Sequence, residues 1–139
     1  MLTYDPRKNI VIFGVMQLTG MAEDDMITIK PHGDGIKPYV GADGEVARSL
    51  DPDMTYEVTI SLSTASKSNE YLSKLYNSDR STGSGVYPLL IKDMSGSTMF
   101  SGQAYIANFP ESKRGREIGT QSWTFYTDQI TNPIVGGND

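Results

Sequence analysis

The chain has 139 residues, 37% of them hydrophobic, with 14 glycines, 7 prolines and a formal charge of −5. That length holds one core of ordinary size, so a single domain over residues 1–139 is expected. The absence of cysteine excludes disulfides and thiolate metal sites, and the deficit of Lys and Arg argues against a protein that grips nucleic acid by its phosphates.

No run of about 18 apolar residues and no basic-then-apolar leader occurs, so no membrane span and no signal peptide are expected. Lys8 to Val15 reads as a first strand, and Met26 to Lys30 as a second after a turn at Glu23-Asp24-Asp25. Ile36 to Ala42 and Glu45 to Leu50 flank Asp43-Gly44, a hairpin signal in which both central residues would need positive φ. Met54, Tyr56, Val58, Ile60 and Leu62 alternate with polar residues, the pattern of a strand with one buried face. The period then changes. Ser66 is a good N-cap, Tyr71, Leu72, Leu75 and Tyr76 recur at helical spacing, and Asn77-Ser78-Asp79 reads as the stop, giving a helix at about 66–78. Val86 to Lys92 is a short apolar run, which Pro88 assigns to an edge or a strand start. Thr98 to Asn108 and Thr120 to Ile130 are further strands, the last with Gln121, Trp123, Phe125 and Thr127 on one side. Residues 133–139 read as a short flexible tail. The fold class expected is mainly β: a β-sandwich or barrel of seven to eight strands with one flanking helix.

Conventional chemistry is hard to place on this chain. His32 is the only histidine and sits in a Gly/Pro turn, so neither a Ser/His/Asp triad nor a nitrogen-rich metal site is available. Asp51 and Asp53 flank Pro52 and read as turn-forming aspartates rather than a working carboxylate pair. Gly83-Ser84-Gly85 lacks the Lys-Ser/Thr of a phosphate loop. Trp123 reads as core. No catalytic residue, cofactor site or metal site is assigned, and an enzyme is the weakest reading.

Several segments in order resemble the tail tube (inner tube) proteins of contractile-tailed bacteriophages, in the compact group of phage structural proteins. They are Tyr4-Asp5-Pro6, the stretch from Val40 to Arg48, Ser66 through Leu75, Gly85 through Asp93, and Gly115 to Thr120 running on to Trp123. The resemblance spans nearly the whole length and rests on order and spacing rather than on one signature. It implies a β-barrel or sandwich with a flanking helix, akin to the type VI secretion tube protein. It implies hexameric rings stacked into a tube, a sheath protein outside, baseplate and tail-terminator proteins at the ends, and DNA as transiting cargo. It also places the protein in the virion tail, assembled in the host cytoplasm, with no membrane anchor. Six subunits giving four strands each would enclose a ring of about 50 Å, wide enough for a duplex.

The bottom-up reading agrees with this picture. Open sheet edges invite pairing with another chain, and a wall without surplus positive charge lets DNA slide. The long polar segments Ala42–Asp53 and Pro110–Gly119 are expected to contact neighbouring subunits through Asp43, Glu45, Arg48, Asp51 and Asp53 on one side and Lys113, Arg114, Arg116 and Glu117 on the other. Two alternatives stand beside the tube. One is a tail-terminator or baseplate-hub component of the same fold. The other is a small β-sandwich binding sugar or peptide, which would need Tyr39, Tyr56, Tyr87 and Tyr105 grouped on one face.

Overall fold

Period-two patterning dominates the chain, and the computed structural model, which describes residues 3–22, 26–112 and 114–136, is mainly β. After a 3₁₀ turn at Pro6–Lys8 come β1 (Asn9–Phe13), β2 (Met16–Gln17), β3 (Ile27–Pro31), β4 (Ile36–Val40), β5 (Val46–Leu50) and β6 (Tyr56–Ser63). Then follow α1 (Ser68–Thr82), β7 (Tyr87–Asp93), β8 (Met99–Asn108) and β9 (Thr120–Thr127). Seven strands form one antiparallel sheet in the order β2-β1-β7-β8-β9-β6-β3, and β4 pairs with β5 alone. The sheet curls far enough for the segment after β2 to reach β6. Ser63 donates to the Gly20 carbonyl at 2.7 Å, Ala22 donates to that of Ser61 at 3.0 Å, and Met21 bridges Leu62.

One face of the sheet holds the core. Val58, Ile60 and Leu62 of β6 lie with Trp123 and Phe125 of β9, Phe100, Ala104 and Ile106 of β8, Leu89 and Ile91 of β7, and Val11 and Phe13 of β1. Gln121 and Thr127 join them on the buried side of β9, as the alternation requires. Gly102 of β8 is needed for packing, because a Cβ there would collide with the Ile130 side chain that fills the gap. The other face is mixed: Ile10, Ile12 and Leu90 lie on it in β1 and β7, and polar residues dominate it in β3, β6 and β9. On it Thr59 stands between Thr28 and Thr124, Ser61 meets Ser122 at 3.1 Å, and Glu57 stands opposite both Lys30 and Tyr126.

The helix closes the core. Ser66 does cap it, its Oγ accepting from Ser68 N–H at 3.2 Å, although the residue at the boundary is Lys67. Ser66 Oγ also donates to the Thr19 carbonyl at 2.5 Å, and the buried Ser68 Oγ accepts from Thr19 N–H at 3.0 Å. These bonds fix the start of α1 to the segment that follows β2. Leu72 is fully buried, while Tyr71, Leu75 and Tyr76 are half-buried against the core. Tyr71 donates to the Phe13 carbonyl at 2.8 Å and closes over the β1–β2 turn.

The helix does not stop at Asn77-Ser78-Asp79. Ser81 and Thr82 hydroxyls bond back to the carbonyls of Asn77 and Ser78, and the polar residues stay helical. The end comes at Gly83, whose φ of 73° admits the left-handed cap. Pro88 stands at the start of β7, one of the two places expected for it, and that strand is interior to the sheet. The Pro88 carbonyl accepts from Gly14 N–H at 2.9 Å, so its missing N–H falls on the side where β1 turns away. The Asp43-Gly44 turn has positive φ only at Gly44 (87°), with Gly44 N–H bonded to the Gly41 carbonyl and Gly41 N–H to that of Glu45. This is the three-residue hairpin loop with a left-handed glycine, not the two-residue mirror-image turn. The ninth strand, β2, has two residues, too few to show a period. The turn at Glu23-Asp24-Asp25 lies outside the described residues, as do Lys113 and residues 137–139. Ile134 pairs with Met99, and Thr98 Oγ1 holds Gly136.

Candidate assembly surfaces

Alternation puts Ile36, Pro38 and Val40 of β4 on the same face as their partners Leu50, Arg48 and Val46 of β5. The opposite face carries Lys37, Tyr39, Ala47 and Ser49. The hairpin is therefore amphipathic. Yet its apolar face is open: Ile36 is 58% exposed, Val40 64%, Val46 73% and Leu50 63%. A two-stranded hairpin is marginal alone in water, and each of these side chains would contribute roughly 1.5–3 kcal/mol on full burial. The element is built as though a surface covers it.

Its base is braced by carboxylates. Asp51 Oδ2 accepts from Asp34 N–H at 2.8 Å, and Oδ1 from Asp53 N–H at 2.9 Å. Asp53 Oδ1 accepts from the Thr55 N–H and hydroxyl at 3.0 and 2.6 Å. Lys37 pairs with Asp34 at 2.9 Å. His32 is exposed but not idle: Nδ1 meets Thr55 Oγ1 at 3.0 Å, and the ring stands edge-on to Tyr126 at 5.1 Å. The backbone donors of Asp34 and Asp53 hold the Asp51 carboxyl below the usual carboxylate range, and the Thr55 hydroxyl does the same to Asp53. A lowered folded-state pKa gives order that is complete above the ordinary Asp value of about 3.9 and is lost as pH falls through the lowered one. Among the charged neighbours, Lys37 and His32 favour the ionised forms, and Asp51 and Asp53 oppose each other. The hairpin base should therefore loosen only in acid below about pH 4 and be unchanged from pH 5 to 8. The amide ¹⁵N shift of Asp34, followed against pH, checks this. An inflection between pH 5 and 8 would contradict it.

The basic segment lies elsewhere. Thr64 N–H donates to the Gly119 carbonyl at 3.1 Å and Gly119 N–H to Thr64 Oγ1 at 3.2 Å, so the 114–119 loop sits beside the end of β6. Arg114, Arg116, Glu117 and the exposed Ile118 line a shallow cleft there with Thr64 and Ala65. Neither Arg114 nor Arg116 pairs with an acid among the described residues. The hairpin base adjoins the start of β6 at Tyr56, and this loop adjoins its end at Ser63. Eight strand residues separate the two, roughly 25 Å. Residues 32–53 carry five acids and two bases, whereas 110–119 carry three bases and two acids. The structure thus sets Asp51 and Asp53 beside the start of β6 and Arg114, Arg116 and Glu117 beside its end, with Asp43, Glu45 and Arg48 out along the hairpin. It does not bring them together. Sequence reasoning singled out the charges and missed the apolar face of Ile36, Val40, Val46 and Leu50. Its signal, three aligned pairs across Asp43-Gly44, was in the alternation.

No group of three or more His, Asp or Glu placed to hold a metal occurs among the described residues. The tyrosines a ligand platform would need are dispersed. Tyr56 packs edge-on against Phe100, Tyr87 against Phe13 and Tyr105 against Tyr126, while Tyr39 lies on the β4–β5 hairpin. No helix is long and apolar enough to cross a membrane among the described residues.

This curled sheet with one helix is the fold of the tube, cap and terminator proteins of contractile injection systems. The chain is similar to the anti-feeding prophage tube-terminating cap at TM-score 0.60 and 15% identity, covering 94% of this chain and 91% of that one. It is similar to a chain of the sheath–tube complex of the PVC extracellular contractile injection system in its extended state (TM-score 0.61, 13% identity, coverage 95% and 93%). The sheath/tube terminator of that system gives TM-score 0.62 and 13% identity, with coverage of 94% and 96%. Closer in sequence is the structural protein ORF10 of Pseudomonas phage KPP10, 36% identical over an alignment of 126 residues that covers 87% of this chain and 71% of that protein. Residues 13–135 match the bacteriophage PhiTE tail tube protein family, and the chain belongs to that family. It is a phage tail structural protein of the virion, not an enzyme.

Proposed function

We propose that the chain forms hexameric rings that stack into the inner tube of a contractile tail, the conduit for DNA into the host. The observation that carries this reading is the hairpin β4–β5, whose apolar face is left uncovered by the described residues. A patch on one surface that fits a different surface of the next copy makes a heterologous contact, which closes as a ring or extends as a filament. The opposite charge balance of the two ends of β6 supports stacking with fixed polarity. The uncovered sheet face supports a conduit. Hydroxyls dominate its β3, β6 and β9 positions, and Lys30 is matched by Glu57, so that part of the face would hold phosphates only weakly, with Lys92 of β7 the further cation on it. Sheath protein outside, baseplate and terminator at the ends, one domain per subunit and assembly in the host cytoplasm complete the proposal.

The purified protein should form rings and tubes in negative stain at high concentration. Particles that stay monomeric under all conditions would sink the tube. The equally close likeness to cap and terminator folds favours one second reading, a terminator, which would give single rings without tubes. The variant Arg114→Glu with Arg116→Glu should stay folded and monomeric, because like charges would then meet between rings. Tubes of normal yield and salt resistance from this variant would show the loop to be solvent-facing.

A further inference from the structure

We infer that Asp51 is the positioning residue that fixes the angle at which the β4–β5 hairpin stands on the body; its consequence for assembly rests on the proposed function above. The hairpin shares no strand ladder with the seven-stranded sheet, so its orientation depends on its base. There one carboxylate joins both arms. Asp51 Oδ2 takes the N–H of Asp34 on the arm entering the hairpin, and Oδ1 takes that of Asp53 on the arm leaving it. Asp51 N–H in turn donates to the Gly35 carbonyl at 2.8 Å. The arms approach so closely at Gly33 that a Cβ would collide with the Asp53 carbonyl and lie 3.2 Å from Asp51 Oδ2.

The lock continues into the sheet. Thr55 gives its one hydroxyl proton to Asp53, so Thr55 Oγ1 accepts from His32 Nδ1–H, and the His32 ring rests edge-on against Tyr126 of β9. The result is a line of contacts, Asp51–Asp53–Thr55–His32–Tyr126, from a free-standing element to the rigid sheet. Bonds to an ionised acceptor are stronger than neutral ones. An arm already held at its docking angle loses less freedom when a second copy covers it.

Asp51→Asn is the direct test, because it keeps the size but turns one acceptor into a donor facing an N–H. Amide hydrogen exchange on the unassembled chain should speed up about tenfold or more at Asp34 and Asp53 and stay unchanged in β6 and β9. The critical concentration for assembly should rise about tenfold with it. Gly33→Ala, which leaves the carboxylate intact but forces the arms apart, should do the same and serves if Asp51→Asn does not fold. Unchanged exchange overturns the inference, and so does faster exchange with an unchanged critical concentration. Assembly lost while exchange is unchanged also overturns it, since Asp51 would then be touching the next copy rather than setting an angle. A wild-type chain that never assembles strikes the proposed function itself and removes the assembly role with it. That outcome is distinct from a wild type and variant that assemble equally well.

Discussion

Trp123→Ala should cost the fold about 3–5 kcal/mol, out of a total of about 5–15 for a domain of this kind. Trp123 is 1% exposed and stands opposite Ile60 in the β6–β9 ladder, with Phe109 edge-on at 5.5 Å. Its loss would open a cavity between sheet and helix. It would also strand a polar group. Trp123 Nε1 donates to Asn69 Oδ1 at 3.0 Å, while Asn69 Nδ2 donates to the carbonyls of Ser63 and Ser66 at 2.9 and 3.1 Å. Asn69 thereby ties the end of β6 and the first turn of α1 to β9, and removing the indole leaves its carbonyl without that partner. Urea denaturation followed by far-UV circular dichroism measures the change, since the only tryptophan is the one removed. A loss below about 1 kcal/mol would mean that the helix does not depend on this contact.

Replacing residues 36–50 by a short Gly-Ser connection should leave the fold intact and abolish tubes. The hairpin's strands pair only with each other, and none of its residues belongs to the core. Its removal should therefore shift the denaturation midpoint little. Assembly should fail completely, because the apolar Ile36/Leu50 and Val40/Val46 pairs are the main exposed apolar surface that a second copy would cover. A milder variant, Val40→Asp with Val46→Asp, should block tubes just as well, by placing two charges where burial is required. Sedimentation of assembled from free protein gives the readout. Normal tubes from the shortened chain would remove the hairpin from the interface, while a shortened chain that does not fold would show that it braces the body after all.

The family was legible in the sequence because its segments keep order and spacing along nearly the whole chain. The buried faces of β6 and β9 were legible because their side chains alternate strictly. Ser66 as a cap and the Leu72 stripe followed from local spacing as well. All of these depend on residues within about ten positions of one another. What covers a face does not. Ile36, Val40, Val46 and Leu50 show the same alternation as Val58 and Ile60, yet only the second set is buried, because α1 and the curled sheet pack over the β6 face while no core residue packs over the hairpin.

Tertiary structure alone decided the rest. Pairing of β1 with β7 joins residues some eighty positions apart, and it makes the Pro88 strand an interior one. The charged segments lie at opposite ends of β6, a relation set by strand direction and not by sequence distance. The sequence by itself determined which side chains seek burial and where the chain must turn. Only the folded sheet determined which of them succeed, because burial is a property of the neighbours that long-range pairing supplies.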